Sequence, residues 1–587
     1  MSVVTANACN EIEQRSKEDA LDAQAHAAWA RAWASLSPES TLTAWMNWAS
    51  HLATSPGKRM RLQRLAAQQL ARLVELASQR IATAPDAAAA GATPATDRRF
   101  ADPAWNHYPF DLLREAFSMQ GRWWDEATTG VWGVDPHHQK LVQFGARQML
   151  DVFSPGNWLF SNPVVIERTL QENGANLARG MSYYLDDVRR QIVGLPPPGT
   201  EQFEVGRDVA TTPGKIVLRN RLIELIQYSP TTAQVHPEPI LVVPAWIMKY
   251  YILDLSPHNS LVKYLVDQGH TVFCVSWKNP GNAERDLGMD DYLSLGIDAA
   301  LTAINAIVPG QKIHATGYCL GGTLMSIAAA AAARDGDERL ASLSLFTAQT
   351  DFSEPGELAL FIDESQVALL EAQMAETGYL RADQMAGAFQ MLRSYDLLWS
   401  RLVSEYLLGE RRPMNDLMAW NADATRMPAR MHSQYLRRLF LDNDLAKGRY
   451  PVGDRAVSLA DVKLPIFCVG TATDHVAPWK SVYKLHYLSP AEITFVLTSG
   501  GHNAGIVSEP GHPRRRFHVR TRPAYGANIA VDEWTASATE HQGSWWEQWL
   551  AWLQARSGDK VKPPRMGAAS KGYTILGDAP GDYVTER

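Results

Sequence analysis

One cysteine, Cys319, stands in a sequence context that suits nucleophilic chemistry. It lies in KIHATGYCLGGTLM (Lys312–Met325), where GYCLGG joins a short alternating segment to an apolar, alanine-rich one. This pattern predicts a strand, a tight turn with Cys319 at its apex, and a helix. The residues two before and two after such a nucleophile must be small, because the strand and the helix pack closely there. The N–H groups and dipole of the helix N-terminus favour a thiolate and a developing oxyanion.

Two later predicted strands end close to residues that suit an acid and a base. Pro465–Gly470 runs into Asp474, and Ile493–Thr498 runs into His502. Folds with a nucleophile on such a turn place nucleophile, acid and base in that chain order, and catalytic groups of open α/β sheets gather at the carboxyl ends of strands. The sequence therefore predicts that Asp474 orients His502, which acts as the base for Cys319.

A structural interpretation competes with each of these assignments. A glycine turn can lie beside a buried structural cysteine, and a single Asp or His in a loop is most often solvated. His475 adjoins Asp474 and is a second candidate for the base. Three candidates at three strand ends, in the expected order, favour the catalytic interpretation.

Two backbone N–H groups are expected to form an oxyanion hole. The N–H of Leu320, directly after the nucleophile, follows from the geometry of the turn. The second donor should come from the loop after the predicted strand Ile240–Val243, around Ala245–Ile247, and Trp246 is its central residue.

The composition excludes several classes of protein. The 587 residues are 46% apolar and 20% charged, and the net charge of −7 gives no reason to expect a nucleic-acid partner. The four cysteines are far apart, which argues against a disulfide framework or a zinc site and fits a reducing compartment. No signal-peptide pattern and no membrane-length apolar run occur. The sequence predicts a cytoplasmic protein without a transmembrane span or a metal.

Changes in composition suggest four segments. Residues 1–83 are expected to be a variable helical segment, and 84–96, APDAAAAGATPAT, a linker. Residues 97–199 are expected to form a helical domain, and 200–587 an α/β catalytic domain. Within the first segment, a basic amphipathic helix is predicted at Lys58–Ile81. It could lie on the surface of a partner, but the favoured interpretation is that it covers the core of its own chain.

The catalytic segment alternates strands and helices from Ile240 to Phe346, as a parallel sheet requires. Before it, Phe203–Ala210 and Lys215–Gln227 are predicted to be antiparallel strands. After it, the helical and aromatic stretch 352–431 interrupts the alternation and is predicted to be a lid. The apolar C-terminal helix Trp545–Leu553 should pack on the sheet.

Several motifs are distributed along the chain. They are GYCLGGT, PAWIMKYYILDL (Pro244–Leu255), DRRFADPAW (Asp97–Trp105), FEVGRDVATTPG (Phe203–Gly214), WNADAT (Trp420–Thr425), DHVAPW (Asp474–Trp479) and HQGSWW (His541–Trp546). Together they resemble the class I polyhydroxyalkanoate (poly-3-hydroxybutyrate) synthases, which belong to the α/β-hydrolase superfamily and work without a second subunit. The match runs from about Asp97 to the C-terminus, and the first ninety or so residues show no clear match.

The resemblance implies an α/β-hydrolase fold and a polymerase of (R)-3-hydroxyacyl-CoA, with 3-hydroxybutyryl-CoA as the expected substrate. Coenzyme A would be released through a cysteine-bound acyl thioester, without a cofactor. The family's nucleophile, acid and base fall on Cys319, Asp474 and His502. The family's aspartate in KYYILDL falls on Asp254, which with His475 is a possible substrate-pocket residue. The resemblance also implies a homodimer associated with polyester granules in the cytoplasm.

Two other functions remain in competition. A cysteine hydrolase, either a thioesterase or a polyester depolymerase, would use the same three residues. Depolymerases normally carry serine at the nucleophile position, however, and simple cysteine hydrolases are far shorter than 587 residues. A non-catalytic granule coat protein would not need a complete nucleophile, acid and base.

Overall fold

The computed structural model describes residues 18, 21–22, 24–30, 36–82, 97–392 and 394–587. The chain separates into two compact units. The sheet unit contains Gly199–Ala386 and Met414–Arg587, with the described residues before 35, and the helical unit contains Ser35–Pro198 and Gly387–Pro413. Part of the predicted lid therefore belongs to the helical unit. The predicted linker 84–96 lies outside the described residues.

The sheet unit is built on a mixed sheet of eleven strands. The strands of the described residues are β1 Gly214–Arg219, β2 Ile223–Tyr228, β3 Ile240–Val243, β4 Val272–Trp277, β5 Ile313–Tyr318, β6 Leu340–Phe346, β7 Tyr379–Leu380, β8 Met427–Pro428, β9 Tyr450–Val452, β10 Arg455–Val457, β11 Ile466–Thr471, β12 Ile493–Thr498, β13 Arg516–Arg522, β14 Thr539–Gln542 and β15 Gly577–Asp578. Across the sheet their order is β14-β13-β12-β11-β6-β5-β3-β4-β2-β1-β15. The short β7 and β8 pair with each other, as do β9 and β10.

The centre of the sheet is parallel, and its register brings the strand ends together. The pairs β4–β3, β3–β5, β5–β6, β6–β11 and β11–β12 are parallel. Every residue of β3, β4 and β5 is buried, as expected for strands that are covered on both faces. Val243 pairs with Gly317, and Phe346 with Tyr318. The carboxyl ends of β3 and β6 therefore flank the turn that carries Cys319.

Helices connect the strands of the sheet unit, and the insertion between β6 and β11 is helical as predicted. The π-helical segment Tyr292–Asp298 leads directly into the helix Ala299–Ile307. In chain order after the six helices of the helical unit, these helices are α7 Leu261–Asp267, α8 Met289–Asp291, α9 Ala299–Ile307, α10 Leu320–Asp335, α11 Glu364–Thr377, α12 Ala382–Leu392, α13 Asp416–Ala422, α14 Ala429–Tyr435, α15 Trp479–Tyr483, α16 Leu485–Leu488, α17 Val531–Ser537 and α18 Trp545–Gln554.

The predicted strand pair at the start of the catalytic segment is wrong. Phe203–Ala210 forms no strand and has only one isolated bridge. Lys215–Gln227 contains both strands of a hairpin, β1 and β2. The side chain of Asn220 accepts two backbone N–H groups at 2.8 and 2.9 Å and so closes the hairpin turn.

The helical unit contains α1 Pro38–Ala53, α2 Pro56–Ala82, α3 Phe110–Thr128, α4 Pro136–Val152, α5 Pro163–Gln171 and α6 Ala175–Val193. The predicted basic helix is α2. It packs on α3, because Leu62 is buried and Arg80 makes a 2.6 Å ion pair with Asp111. This packing agrees with the helix covering its own core. None of the described helices combines the length and apolarity that a bilayer crossing requires.

Three buried histidines lie together in the sheet unit, near the starts of β3, β4 and β5. The rings of His236 and His270 stack at 4.7 Å. Burial, with His236, His314 and Lys560 nearby, lowers the pKa of His270 to about 3. Burial, with Arg556 and His236 nearby, lowers the pKa of His314 to about 4. Both rings are therefore neutral in the folded protein well below the pH at which unfolded histidine is protonated.

Acid should destabilise the protein through these rings. Because protons bind the unfolded state first, the free energy of unfolding should fall as pH drops below 6.5, by about 1.4 kcal/mol per pH unit for each histidine. His270→Phe keeps a ring against His236 and should flatten this slope in denaturant titrations between pH 7 and about pH 4. His541→Phe changes an exposed histidine that is likewise stacked on an aromatic ring and should leave the slope unaltered. Equal slopes in wild type and His270→Phe would contradict the assignment.

Candidate active site

The turn between β5 and α10 holds Cys319 in an unusual backbone conformation. β5 ends at Tyr318 and α10 begins at Leu320, so Cys319 alone makes the turn, with φ 52° and ψ −124°. Its N–H donates to the carbonyl oxygen of Phe346 at 2.8 Å, which ties the turn to β6. A side-chain-bearing residue at such φ and ψ values stores strain that the surrounding structure must hold. The predicted strand, turn and helix are confirmed.

Glycines allow the strand and the helix to close around Cys319. A Cβ atom on Gly317 would lie 2.3 Å from the Cα atom of Gly322. A Cβ atom on Gly321 would lie 2.2 Å from the carbonyl oxygen of Val243. Both obstacles are backbone atoms, so neither neighbour can rotate away. These two close backbone contacts explain why the turn that carries Cys319 requires small residues on either side.

Gly321→Ala should displace the start of α10 from the end of β3. The added Cβ would meet the carbonyl oxygens of Val243 and Pro244 at 2.2 and 2.5 Å, and overpacking of this kind costs about 1–3 kcal/mol. We expect a lower melting temperature and loss of activity. Gly121→Ala is the matched control, because this helical glycine has no neighbour within 4 Å and alanine there should stabilise the protein by about 1 kcal/mol. Unchanged activity in Gly321→Ala would contradict the close approach.

The three residues predicted to be catalytic meet in space. The Nδ1 atom of His502 lies 2.8 Å from the Oδ2 atom of Asp474, and Cys319 is near enough to raise the pKa of the His502 imidazole. The side chain of Asp474 is fully buried, that of His502 is 10% exposed, and Cys319 is 9% exposed. Cys319 is thus at the edge of the protein interior, near the almost fully buried imidazole of His502.

Asp474 is fixed by its own loop. Its Oδ1 atom accepts the N–H groups of Val476 and Ala477 at 2.8 and 2.9 Å, and its Oδ2 atom accepts the hydroxyl of Thr471 at 3.0 Å. A carboxylate that is oriented in this way accepts a hydrogen bond from the Nδ1–H group of His502. The other ring nitrogen, Nε2, is then left for the thiol of Cys319.

The charges at the site favour an ionised arrangement. Burial alone would lower the pKa of His502, but Cys319 and Asp474 outweigh it and raise this pKa to about 10. Burial would raise the pKa of Asp474, but the charge and hydrogen bond of His502 and two backbone N–H groups lower it. An imidazolium on His502, between a sulfur and a carboxylate, is the arrangement that activates a cysteine nucleophile.

The loop after β3 lies against the start of α10, where the oxyanion donors were predicted. The N–H of Leu320 is the first of its helix and has no intrahelical acceptor. Trp246 is buried, and its ring packs edge-on against the rings of Tyr292 and Tyr435 at 5.5 and 6.0 Å. Its carbonyl oxygen accepts the hydroxyl of Thr425 at 3.0 Å. The donor roles of Leu320 and Trp246 stay predictions.

Two of the sequence motifs hold each other in place. WNADAT packs on PAWIMKYYILDL, where the indole N–H of Trp420 donates to the carbonyl oxygen of Lys249 at 2.8 Å. The hydroxyl of Tyr251 donates to Asp423 at 2.9 Å, and an isolated bridge joins the two segments. The end of the insertion thus fixes the loop beside the nucleophile.

Asp254 lies in a buried polar cluster. Its Oδ1 atom accepts the hydroxyls of Thr212 and Ser260 at 2.5 and 2.6 Å, and burial raises its pKa. None of the hydrogen bonds found among the described residues links Asp254 to Cys319 or His502. Its hydrogen bonds to Thr212 and Ser260 therefore indicate a structural role. The carbonyl oxygen of His475 accepts a backbone N–H at 3.3 Å. A place in the substrate pocket for either residue stays a prediction.

Sequence reasoning missed Tyr435, which the structure places by the nucleophile. It ends α14, four residues beyond the predicted end of the lid at 431. Burial, and then the charge of Cys319, raise the pKa of its hydroxyl. No motif around Tyr435 marks it, because only its packing against Trp246 brings it to the site.

Three family models match the chain. The model of the poly-beta-hydroxybutyrate polymerase (PhaC) N-terminus matches residues 96–265, and that of the alpha/beta hydrolase fold matches 238–509. The model of the poly-beta-hydroxybutyrate polymerase N terminal matches 16–58. The last match extends the resemblance to the early residues in which the motifs showed none.

Curated relatives match over most of their length. A poly(3-hydroxyalkanoate) polymerase of Methylorubrum extorquens is 42% identical over 497 residues, 84% of this chain and 81% of the relative. The poly(3-hydroxyalkanoate) polymerase subunit PhaC of Cupriavidus necator is 36% identical over 84% of this chain and 83% of its own. Poly(3-hydroxyalkanoate) polymerase 1 of Ectopseudomonas oleovorans is 34% identical over 84% of this chain and 87% of its own.

Proposed function

The chain belongs to the poly(3-hydroxyalkanoate) polymerase family, and we propose that it polymerises (R)-3-hydroxyacyl groups through an acyl thioester on Cys319. The family and the α/β-hydrolase fold predicted from the sequence are thereby confirmed, and the enzyme is an acyltransferase. The observation that carries the proposed mechanism is the 2.8 Å contact between Nδ1 of His502 and Asp474, beside the turn that holds Cys319 at φ 52°.

In the first step, the sulfur of Cys319 attacks the thioester carbonyl of the acyl-CoA. His502 holds the thiol proton, and the N–H groups of Leu320 and Trp246 stabilise the negative oxygen of the tetrahedral intermediate. When the intermediate collapses, the carbon–sulfur bond to coenzyme A breaks and His502 returns the proton to the leaving thiolate. One thioester replaces another at nearly equal energy, so loading is reversible.

In the second step, the 3-hydroxyl of another hydroxyacyl group attacks the acyl group on Cys319. His502 takes the hydroxyl proton, the oxoester bond forms, and the Cys319 sulfur leaves. Water competes with this hydroxyl, so the site must exclude it. Tyr435, near the end of the insertion between β6 and β11, supports this role because its ring packs against Trp246 beside the site.

Incubation with (R)-3-hydroxybutyryl-CoA tests the proposed function. Coenzyme A release is followed with a thiol reagent, and polymer is measured by gas chromatography after methanolysis. We expect coenzyme A release with insoluble polyester. Release with only free 3-hydroxybutyrate would mean a thioesterase and overturn the water-exclusion argument. Absence of release would overturn the proposed substrate and direct the assay to longer acyl chains.

We also propose that the enzyme works as a homodimer at the surface of polyester granules; the dimer rests on the family resemblance alone. Granule contact is supported by large apolar side chains that the helical unit exposes to solvent. They include Trp132, Phe153, Trp158, Phe160, Leu170 and Ile192.

Polar substitution of these side chains should weaken granule binding. Trp132 and Phe160 are 87% and 89% exposed, so Trp132→Ser with Phe160→Ser should not disturb the core. We expect several-fold less protein to sediment with washed polyester particles, because apolar contact area is lost. Ile575→Ser, at a half-exposed apolar residue of the sheet unit, is the control and should sediment like wild type. Equal sedimentation of all three proteins would refute the assignment to the helical unit.

A further inference from the structure

We propose that Tyr318 and Asn503 form a positioning pair that fixes the distance between Cys319 and His502. Each is the chain neighbour of a site residue, Tyr318 before the nucleophile and Asn503 after the base. The hydroxyl of Tyr318 donates to the Oδ1 atom of Asn503 at 2.6 Å. The inference rests on the proposed roles of Cys319 and His502, and neither Tyr318 nor Asn503 is assigned a chemical step.

Tyr318 is held firmly enough to act as an anchor. It is the last residue of β5, is 2% exposed, and pairs with Phe346 of β6. Its ring lies 5.7 Å from the ring of His502, so the side chain supports the imidazole as well as its loop. Burial, with Cys319 and Asp474 nearby, holds the pKa of the hydroxyl well above its ordinary value. The hydroxyl therefore keeps its proton and donates a hydrogen bond to the Asn503 amide oxygen.

Other contacts hold the His502 loop from a different side. The indole N–H groups of Trp545 and Trp546, both on α18, donate to the carbonyl oxygens of Gly505 and Ile506 at 3.0 and 2.9 Å. Arg515 donates to the carbonyl oxygen of residue 504 at 2.5 Å. These anchors locate the loop on the body of the unit. Tyr318 differs because it belongs to the same strand end as the nucleophile.

The pair closes a small ring of contacts around the site. The ring runs from Cys319 along the chain to Tyr318, across the hydrogen bond to Asn503, and along the chain to His502. It closes at Cys319, which is near enough to raise the pKa of the imidazole. A movement of His502 away from the sulfur would have to break or bend the Tyr318–Asn503 bond. Since proton transfer and attack depend steeply on geometry, a shift of about 1 Å can cost about 100-fold in rate. The pair therefore keeps the imidazole within reach of the thiol.

The test uses Tyr318→Phe, which removes only the hydroxyl, and Asn503→Leu, which removes the acceptor at similar size. The first readout is the pH profile of Cys319 alkylation by iodoacetamide, followed by mass spectrometry of the peptide Ile313–Arg334. The second is the split of coenzyme A release into kcat and KM. We expect each variant to lower kcat about tenfold with little change in KM. The alkylation profile should differ from that of wild type, since the imidazolium is less well placed beside the sulfur.

The double variant and a control separate positioning from general destabilisation. Tyr318→Phe with Asn503→Leu should be no slower than either single variant, because both remove the same bond. Tyr483→Phe removes an equally buried hydroxyl that donates to the carbonyl oxygen of Ile529 at 2.9 Å and should leave the alkylation profile unchanged. Unchanged kcat and profile in both single variants, or additive losses in the double variant, would overturn the proposal. If Cys319→Ala still released coenzyme A, the proposed function would fail, rather than the role of the Tyr318–Asn503 pair.

Discussion

Cys319→Ala is expected to abolish coenzyme A release and polymer formation together. The variant keeps the strand, turn and helix but removes the only atom that can carry the acyl group in the proposed mechanism. Loss of a nucleophile from a site of this kind lowers kcat by about 10⁴-fold or more. Coenzyme A release from (R)-3-hydroxybutyryl-CoA and gas chromatography of the polymer measure both losses. Thermal unfolding should be close to that of wild type, because the thiol is at the edge of the core at 9% exposure.

Cys468→Ala is the matched control for this substitution. Cys468 lies in β11, is fully buried among apolar residues, and has a thiol whose pKa burial raises far above its ordinary value. The Cys468→Ala variant should lose some stability, because a small cavity replaces the sulfur. Its turnover should stay within a few-fold of the wild-type value. Release of coenzyme A by Cys319→Ala at a rate close to that of this control would contradict the proposed nucleophile.

Asp474→Asn is expected to have the next largest effect, a fall in kcat of about 10³–10⁴-fold with little change in KM. The amide can present an N–H group to Nδ1 of His502 and so favour the wrong tautomer. The substitution also removes one of the charges that raise the pKa of His502 to about 10. The pH above which the imidazolium is lost should therefore move down. Coenzyme A release measured from pH 5 to 10 would show both effects.

The control for this carboxylate is Asp335→Asn, which removes an exposed carboxylate paired with Arg334 at 2.6 Å and should leave both kcat and the pH profile as they are. Retention of the wild-type pH profile by Asp474→Asn would mean that Asp474 does not orient His502. A fall in melting temperature large enough to unfold the variant at assay temperature is checked by circular dichroism. In that case kcat and the pH profile are measured at a lower temperature at which the variant is folded.

The positions of Cys319, Asp474 and His502 relative to the strands could be predicted from the sequence, because the signals for them are local. Each of Cys319, Asp474 and His502 directly follows or closely follows an apolar strand, and parallel strands bring such ends to one edge. The glycines around Cys319 are likewise required by contacts within a few residues. The helical insertion between β6 and β11 was also evident, because the alternation of strands and helices stops there.

Features set by distant packing or by exposed edges were not evident. β13 was missed because its sequence, RFHVRTR, is too charged to resemble a core strand, although it pairs along its length with β12. Tyr435 carries no motif. The Tyr318–Asn503 hydrogen bond joins residues that are separated by more than a hundred positions. The antiparallel pair was misplaced because the turn depends on the side chain of Asn220 rather than on glycine or proline.

The most direct test of the central claim is to locate the acyl group on the protein. Wild-type enzyme is mixed with a small excess of (R)-3-hydroxybutyryl-CoA, quenched in acid within one turnover, and digested by a protease that cuts after lysine and arginine. We expect one or more 3-hydroxybutyryl groups on the peptide Ile313–Arg334, which contains Cys319 as its single cysteine, and their removal by neutral hydroxylamine. Coenzyme A release without any label on this peptide, or with a label on another residue, would contradict the account.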